Sequence, residues 1–322
     1  MSEQNKVLKS EDELFRFIDN DQFVSEKITA PRYSYWKSVF RVFFRKKINI
    51  VIIAFLVLIL LVAFIMPIYW HYDPNENVTN AATYNLSPKE AIQYFGGFSF
   101  KWMLGSGNLG NSILYGIVSS ARTSLLLAVI CAAINMTIGI LVGALWGYSK
   151  KVDAVMLVIY NIIANVPFIL MVSVLVYIIG QGFWSFVFAL TVTGWLFIAF
   201  FFRTQVMIIR DREYSLASRC LGTPVSRVIT KNILPFLTSV IVTLLAQELP
   251  SYIGMEVTLA FIGIGLSAAV PSLGRMIAQA QGAFLTYPWE FWSPVAVASA
   301  ITIILYVLGQ NLADASDPRT HM

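Results

Sequence analysis

The amino-acid sequence predicts an all-α, polytopic membrane protein that crosses the bilayer about six times. Hydrophobic residues make up 57% of the 322 residues and charged residues only 13%, whereas soluble domains contain roughly 25% charged residues. Six stretches are long and apolar enough to cross the hydrocarbon core as helices. They lack the alternating pattern of a transmembrane β-barrel, and a lipid-embedded backbone must satisfy its own hydrogen bonds. Every span is therefore predicted to be a helix.

The six predicted spans divide the chain into regions with different surroundings. Their limits are Ile48–Ile68, Ser124–Trp146, Ala154–Ile179, Phe183–Phe202, Phe236–Ile264 and Phe291–Leu308. The resulting regions are a cytoplasmic N-terminal region (1–47), the first span (48–68), an extracellular segment (69–118), a core with the other five spans (119–313) and a cytoplasmic tail (314–322). The core contains a long polar loop, residues 207–235, between the fourth and fifth spans.

The distribution of basic residues predicts the orientation of the chain. Most of the 23 lysine and arginine residues fall before the first span, between the second and third spans, and between the fourth and fifth spans. Because basic residues concentrate on cytoplasmic loops, both termini are predicted to be cytoplasmic. These residues are scattered between apolar runs and form no single patch, so we do not expect nucleic-acid binding.

An amphipathic helix is predicted just before the first span, from Tyr35 to Lys47. Basic residues recur there at every fourth position, and apolar residues share the opposite face. The basic residues are Lys37, Arg41 and Arg45, and the apolar residues are Trp36, Val39, Phe40 and Phe43. A helix with this pattern is expected to lie in the membrane interface.

The sequence contains little material for a metal site or a disulfide. The two histidines, His71 and His321, lie far apart along the chain. Cys131 lies within an apolar run and Cys220 within a basic segment that is predicted to be cytoplasmic. We therefore expect neither a metal centre nor a disulfide bond.

The most informative segment is the long internal loop, Met207–Pro235, which is predicted to form two short helices around a turn. In the first helix, Tyr214, Ala217 and Leu221 share one side at helical spacing. Gly222 follows as the C-terminal cap, where a left-handed backbone is favoured.

The second helix of this loop is predicted to begin with Thr223 as its N-cap and Pro224 as its first residue. Pro235 is expected to close it at the entry to the fifth span. Together the two capped helices form a compact element with apolar residues that require a partner.

Two stretches of the loop resemble a motif of known transporters. EYSLASRCLG at Glu213–Gly222 and NILP at Asn232–Pro235 resemble the EAA loop of bacterial ABC import permeases. In that family the loop forms the coupling helices that dock into a groove on the cytoplasmic ATPase. The resemblance assigns ATPase coupling to Glu213, Tyr214, Ala217, Arg219, Leu221 and Gly222. Three positions depart from the family pattern, with Leu216, Ser218 and Asn232 in place of glutamate, alanine and histidine.

Other stretches resemble one branch of this family, the C-type subunit of oligopeptide and dipeptide permeases. They are Leu104–Gly110, Ala121–Leu125, Glu256–Gly265, Pro271–Gly274 and Asn311–Arg319. The resemblance extends over roughly residues 34–319. It implies the type I ABC importer permease fold, with six transmembrane helices and cytoplasmic coupling helices.

The resemblance implies a transport subunit of the bacterial cell membrane without an ATPase site of its own. The chain lacks the Gly-x-x-x-x-Gly-Lys phosphate loop, so ATP and magnesium are expected on partner subunits and no cofactor on this chain. The implied partners are a homologous permease, two cytoplasmic ABC ATPase subunits, an extracellular peptide-binding lipoprotein, the peptide substrate and membrane lipid.

Polar residues within the third and fifth spans are candidates for the translocation path. They are Asn161, Asn165, Glu248 and Glu256. Carboxyl groups at membrane depth usually face a bundle interior or a watery path, so the two glutamates are equally open to pairing within the bundle. The same spans contain Pro167 and Pro250, and proline can kink a helix because it removes a backbone donor.

Three alternative functions remain open on the sequence alone. A permease for nickel or another small solute belongs to the same branch as the peptide permeases. A secondary carrier would require inverted repeats with broken helices and would leave the coupling loop unexplained. A membrane-embedded enzyme would require convergent catalytic groups, but the predicted spans contain no histidine and no paired aspartates.

Overall fold

The computed structural model describes residues 34–70, 72–267 and 269–317. Most of the predicted N-terminal cytoplasmic region, the end of the C-terminal tail and His71 lie outside these described residues. The described residues form helices and no β-strand, with one isolated bridge between Ser106 and Ser112. The α-helices are α1 (Tyr35–Arg45), α2 (Lys47–Tyr69), α3 (Pro88–Tyr94), α4 (Ile113–Tyr148), α5 (Lys150–Ala164), α6 (Phe168–Ile179), α7 (Phe183–Thr191), α8 (Gly194–Arg210), α9 (Glu213–Cys220), α10 (Val225–Arg227), α11 (Thr238–Phe261), α12 (Leu273–Ala280) and α13 (Pro288–Ser316).

Among the described residues, five continuous helical stretches are long and apolar enough to cross a membrane, and a bent pair supplies a sixth candidate span. The five are Lys47–Tyr69 (α2), Ile113–Tyr148 (α4), Phe183–Arg210 (α7 and α8), Val225–Phe261 (α10 through α11) and Pro288–Ser316 (α13). The sixth is the pair α5 and α6, which meet at an angle of 78°. These helices confirm the predicted all-α, polytopic fold.

The second and third predicted spans differ in extent from the observed helices. Helix α4 begins eleven residues before the predicted start at Ser124, because the side chain of Ser112 caps it by accepting the backbone N–H of Tyr115 at 3.3 Å. The third predicted span is two helices, because Pro167 has no N–H to donate and disfavours helical geometry at the residue before it.

Helix α4 lies at the centre of the bundle and packs against α2, α7, α8, α11, α12 and α13. Gly139, Gly143 and Gly147 recur on the face of α4 that meets α8. A Cβ atom at Gly143 would lie 2.6 Å from the carbonyl oxygen of Ala199, and one at Gly147 would lie 2.6 Å from that of Arg203. Small residues allow helix backbones to approach closely within a membrane. This stripe therefore fixes α8 against α4.

The extracellular segment of the prediction contains a short capped helix, α3. Ser87 accepts the backbone N–H of Glu90 at 3.4 Å, and the Glu90 carboxylate accepts the N–H of Ser87 at 2.9 Å. These two bonds form a capping box, which begins α3 at Pro88. The hydrogen bonds from Ser87 lower the pKa of the Glu90 carboxyl group.

The amphipathic helix α1 also forms at the predicted position. Val39 and Phe43 are buried, whereas Phe40 and Phe44 are about half exposed. Its placement in the membrane interface stays a prediction.

Candidate functional site

The segment between α8 and α11 forms a helical hairpin, which we call the coupling hairpin and define as residues 211–237. Helix α9 ends at a turn in which the N–H of Gly222 donates to the carbonyl of Arg219 at 2.9 Å. The N–H of Thr223 donates to the carbonyl of Ser218 at 3.2 Å. This pair of bonds is a Schellman motif, which satisfies the last carbonyls of a helix. Gly222 has φ +76°, so the predicted left-handed cap is confirmed.

The second half of the coupling hairpin differs from the prediction in two ways. Pro224, not Thr223, is the N-cap of α10, and its carbonyl accepts the N–H groups of Arg227 and Val228. The prediction that Pro235 closes the second helix is wrong. The chain continues as a π-helix over Val228–Ile233 and a 3₁₀-helix over Leu234–Leu237 into α11.

The position of Pro235 explains why the chain stays helical from the hairpin into α11. Pro235 lies in the first turn of the 3₁₀-helix. A backbone N–H at that position would have no partner within the helix, so the lack of an N–H in proline costs no hydrogen bond. The wider π turn before it accommodates the ring without a break. Because no loop separates α10 from α11, the second half of the hairpin is continuous with the helix of the fifth span.

The six residues that the resemblance assigns to ATPase coupling all lie on α9 or its terminal turn, and all six are exposed. Leu221 is 87% exposed at the tip of the hairpin, next to the turn glycine. Glu213 begins α9, and Tyr214 lies 5.2 Å from the ring of Phe236 in a stacked arrangement. An exposed apolar side chain on a rigid turn is suited to insertion into a partner surface.

Two of the residues that depart from the family pattern contact each other. The side-chain amide of Asn232 donates to the hydroxyl of Ser218 at 3.0 Å. That hydroxyl in turn lies 3.4 Å from the Thr223 hydroxyl. These bonds hold α9 against the π-helical turn, so the hairpin has an internal polar brace that the sequence pattern did not reveal.

Two further contacts connect the hairpin to the bundle. Arg210 is buried, forms a two-point contact with Asp211, and donates to the carbonyl of Gly147 at 2.9 Å. Hydrogen bonding by the Arg210 guanidinium lowers the pKa of the Asp211 carboxyl group. The Arg219 guanidinium lies 5.7 Å from the ring centre of Tyr148, at the end of α4.

Neither contact was predicted from the sequence, in which Arg210 counted only among the basic residues of the loop and Arg219 was assigned to ATPase coupling. A useful signal was available, since an arginine in the last turn of an apolar helix is followed directly by an aspartate. A cation at that place can also bind the free carbonyls at the C-terminus of a neighbouring helix.

The four path candidates are not brought together. Asn161 is exposed on α5 and Asn165 is exposed at its C-cap, where the side chain of Asn165 donates to the carbonyl of Asn161 at the break before α6. Glu256 is buried and accepts hydrogen bonds from the Ser124 hydroxyl at 2.9 Å and from the N–H of Gly274 at 3.2 Å.

Glu248 has different surroundings, because it lines a cavity of about 400 Å³ between α8 and α11. The residues that line this cavity, which we call the α8/α11 groove, are Phe197, Ile198, Phe201, Gln205, Val240, Thr243, Leu244, Gln247 and Glu248. Both helices pack against α4, and both adjoin the coupling hairpin. The groove thus lies between the two helices that the hairpin connects.

Helices of this length and apolarity, with a capped hairpin between two of them, define a multi-pass membrane protein of the permease type. The model for the inner membrane component of binding-protein-dependent transport systems matches residues 135–322. The model for the N-terminal transmembrane domain of oligopeptide transport permease C matches residues 34–88. The chain belongs to the family of inner membrane components of binding-protein-dependent transport systems, as the sequence resemblance implied.

Individual relatives support this assignment over nearly the whole chain. The oligopeptide transport system permease protein AmiD of Streptococcus pneumoniae (strain ATCC BAA-255 / R6) is 46% identical over 96% of this chain and 98% of its own length. The corresponding protein OppC of Bacillus subtilis (strain 168) is 30% identical over 92% of this chain and 93% of its own length. A solved structure of the methionine ABC transporter MetNI has a TM-score of 0.54 at 18% identity, over 63% of this chain and 97% of that chain, and it shares the fold.

Proposed function

We propose that this chain is a permease subunit of an ABC importer for oligopeptides or dipeptides. The observation that carries the proposal is the 46% identity with an oligopeptide permease protein over nearly the full length of both chains. A relative named as a dipeptide permease, DppC of Bacillus subtilis (strain 168), is 30% identical over 96% of this chain. These relatives favour peptide over nickel or another small solute.

The coupling hairpin supports a separate ATPase as the source of energy. Its exposed residues lie on a helix and a turn closed by two backbone hydrogen bonds, and Arg210 connects the start of the hairpin to the bundle. ABC importers of this family work with ATPase and substrate-binding partners. We assign the binding of ATP and magnesium to two ATPase subunits that bind the hairpin. We assign no cofactor and no catalytic residue to this chain.

The other parts of the proposal follow from the family architecture. A homologous permease pairs with this chain, and the peptide passes between the two after delivery by an extracellular peptide-binding lipoprotein. The hairpin faces the cytoplasm of a bacterial cell, and both termini lie on the same side, in agreement with the distribution of basic residues.

Replacement of Gly222 by valine tests the coupling role. A Cβ atom at Gly222 would meet no atom within 4 Å, so the only cost is the left-handed backbone, about 1–2 kcal/mol for an ordinary residue. We expect Gly222→Val to leave membrane insertion intact, to permit ATP hydrolysis by the reconstituted complex, and to lower peptide uptake per ATP about tenfold.

Matched variants separate backbone geometry from other effects. Gly222→Asn is expected to retain most uptake, because asparagine tolerates the left-handed region. Gly254→Ala, where a Cβ atom also meets open space but φ is not positive, is expected to behave as wild type. Normal uptake by Gly222→Val would refute the coupling role, and a wild-type complex that imports nickel but no peptide would refute the proposed substrate.

A further inference from the structure

The α8/α11 groove has a regular construction. Phe197, Phe201 and Gln205 follow one another at intervals of four on α8, and Val240, Leu244 and Glu248 do the same on α11. Residues four apart lie on one face of a helix. Each helix therefore presents one continuous face to the cavity between them.

We propose that the groove binds an extended stretch of the peptide during transport, and that Glu248 binds an ammonium group of that peptide. This inference rests on the proposed peptide import and assigns one subsite of its path to this chain. The lined length of α8, from Phe197 to Gln205, is about 12 Å at 1.5 Å per residue. An extended peptide of three or four residues has that length.

The position of Glu248 requires a partner. It lies near the middle of the predicted fifth span, Phe236–Ile264, with twelve residues of the span before it and sixteen after it. A carboxyl group at that depth is costly unless it meets a cation, a donor or water. The described residues that line the groove include no lysine or arginine, so an ammonium group of the peptide would supply a positive charge that the groove itself lacks.

Polar residues behind Glu248 form a short chain of hydrogen bonds. Tyr252 lies one turn further along α11, on the same face as Glu248, and the amide of Asn135 donates to the Tyr252 hydroxyl. Asn135 also donates to the carbonyl of Leu190 at 3.2 Å. These bonds connect the helix face that carries Glu248 to α4 and α7, and Glu248 itself lines the groove.

The remaining walls suit a substrate of variable sequence. Phe197 and Phe201 are about 40% exposed and provide apolar surface for side chains of any identity. Gln205 and Gln247 bring amide groups to the same cavity, and amides can donate to or accept from a peptide backbone. A lipid acyl chain or an apolar helix of the partner permease would fill the apolar walls but would leave Glu248 without a cation.

Peptide uptake by the complete reconstituted transporter, with Glu248→Gln in this chain, tests the inference. The probes are tetra-alanine, whose only ammonium is the α-amino group, and Ala-Ala-Ala-Lys. We expect uptake of tetra-alanine to fall about tenfold, which corresponds to roughly 1.4 kcal/mol, with ATP hydrolysis unchanged. A reduction for the lysine peptide alone would assign the contact to the side-chain ammonium.

A charge-transfer variant distinguishes a direct contact from a general defect. In Glu248→Gln combined with Gln247→Glu, the carboxyl group returns to the same cavity one residue away, and we expect uptake to be partly restored. Equal uptake of both peptides by wild type and Glu248→Gln would overturn the inference while leaving peptide import intact. Failure of the wild type to import either peptide would instead refute the proposed function.

A second measurement applies even if Glu248→Gln does not assemble. In a chain with Cys220→Ser, which removes the exposed native thiol, a thiol introduced by Gln205→Cys is expected to react with a peptide that carries a thiol-reactive group. The matched control is Ile208→Cys on the same helix, 58% exposed and outside the groove. Reaction of the position-205 thiol with a lipid-borne reagent or a partner cysteine, but not with the peptide, would overturn the inference.

Discussion

Glu248 and Glu256 lie on the same helix, about two turns apart, and the structure gives them opposite surroundings. Glu256 is 1% exposed and receives hydrogen bonds from Ser124 on α4 and Gly274 on α12. Glu248 lies one turn from Tyr252 and lines the α8/α11 groove. A carboxyl group within a span can therefore serve as a brace or remain available to a ligand, and the number of protein donors around it decides which.

The brace at Glu256 joins three elements. The N–H of Leu273 donates to the Ser124 hydroxyl at 3.1 Å, and that hydroxyl donates to Glu256. The N–H groups of Leu273 and Gly274 belong to the first turn of α12, where they have no partner within the helix. Glu256 thus satisfies donors that would otherwise be buried and unpaired, and it fixes α12 against α11 and α4.

The largest expected effect comes from Glu256→Ala. The substitution leaves the Ser124 hydroxyl and the Gly274 N–H without an acceptor in a buried site, which costs about 3 kcal/mol in total. We expect a marked loss of assembled complex and a lower midpoint of thermal unfolding in detergent. Glu248→Ala is the matched variant on the same helix, and an equal loss for both would break the distinction between the two carboxyl groups.

A smaller effect is expected from Gly274→Ala, which tests the same brace from the side of α12. The added Cβ atom would lie 2.7 Å from the Glu256 carboxylate and 2.8 Å from the Cα of Val257. One of these contacts involves backbone, so the helix must shift, at a cost of about 1–3 kcal/mol. The midpoint of thermal unfolding should fall accordingly, measured on the purified complex.

Gly282→Ala provides the control for this substitution. It lies beyond the end of α12, and a Cβ atom there meets nothing within 4 Å. We expect its thermal unfolding to match the wild type. If Gly274→Ala also matched the wild type, the close approach of α12 to Glu256 would not be required for stability.

The sequence predicted the parts of the fold that depend on local composition. Long apolar runs specify spans, and the order leucine, glycine, threonine, proline after α9 specifies a turn with a left-handed residue at Gly222. Such features follow from the requirements of a few neighbouring residues. For the same reason the EAA resemblance located the coupling hairpin without any knowledge of the bundle.

The two glutamates could not be separated in that way, because both are acidic residues within one apolar run. Their difference arises from residues far away in the sequence, such as Ser124 and Asn135 on α4. The effect of the two prolines on helix geometry also depends on distant residues. Pro167 lies at a break of 78° between α5 and α6, whereas Pro250 is buried within an unbroken α11. The sequence marks both as possible interruptions, and the packing around each decides the outcome.

A third feature was open to prediction and was missed. Gly139, Gly143 and Gly147 recur at intervals of four in the second span, a spacing that indicates close helix packing in membranes. Knowledge of this pattern would have placed α4 at the centre of the bundle. It would not have identified α8 as the neighbour, because that assignment requires the tertiary structure.

The smallest effect on stability is expected from Glu248→Gln. The glutamine side chain has nearly the same shape and keeps an oxygen that can accept a hydrogen bond, so we expect the free energy of unfolding to change by less than about 0.5 kcal/mol. Thermal unfolding of the purified complex should overlay the wild-type curve even where peptide uptake is reduced. A shift as large as that of Glu256→Ala would mean that Glu248 is also a brace, and the loss of uptake would then reflect a weakened bundle and not a missing contact with the peptide.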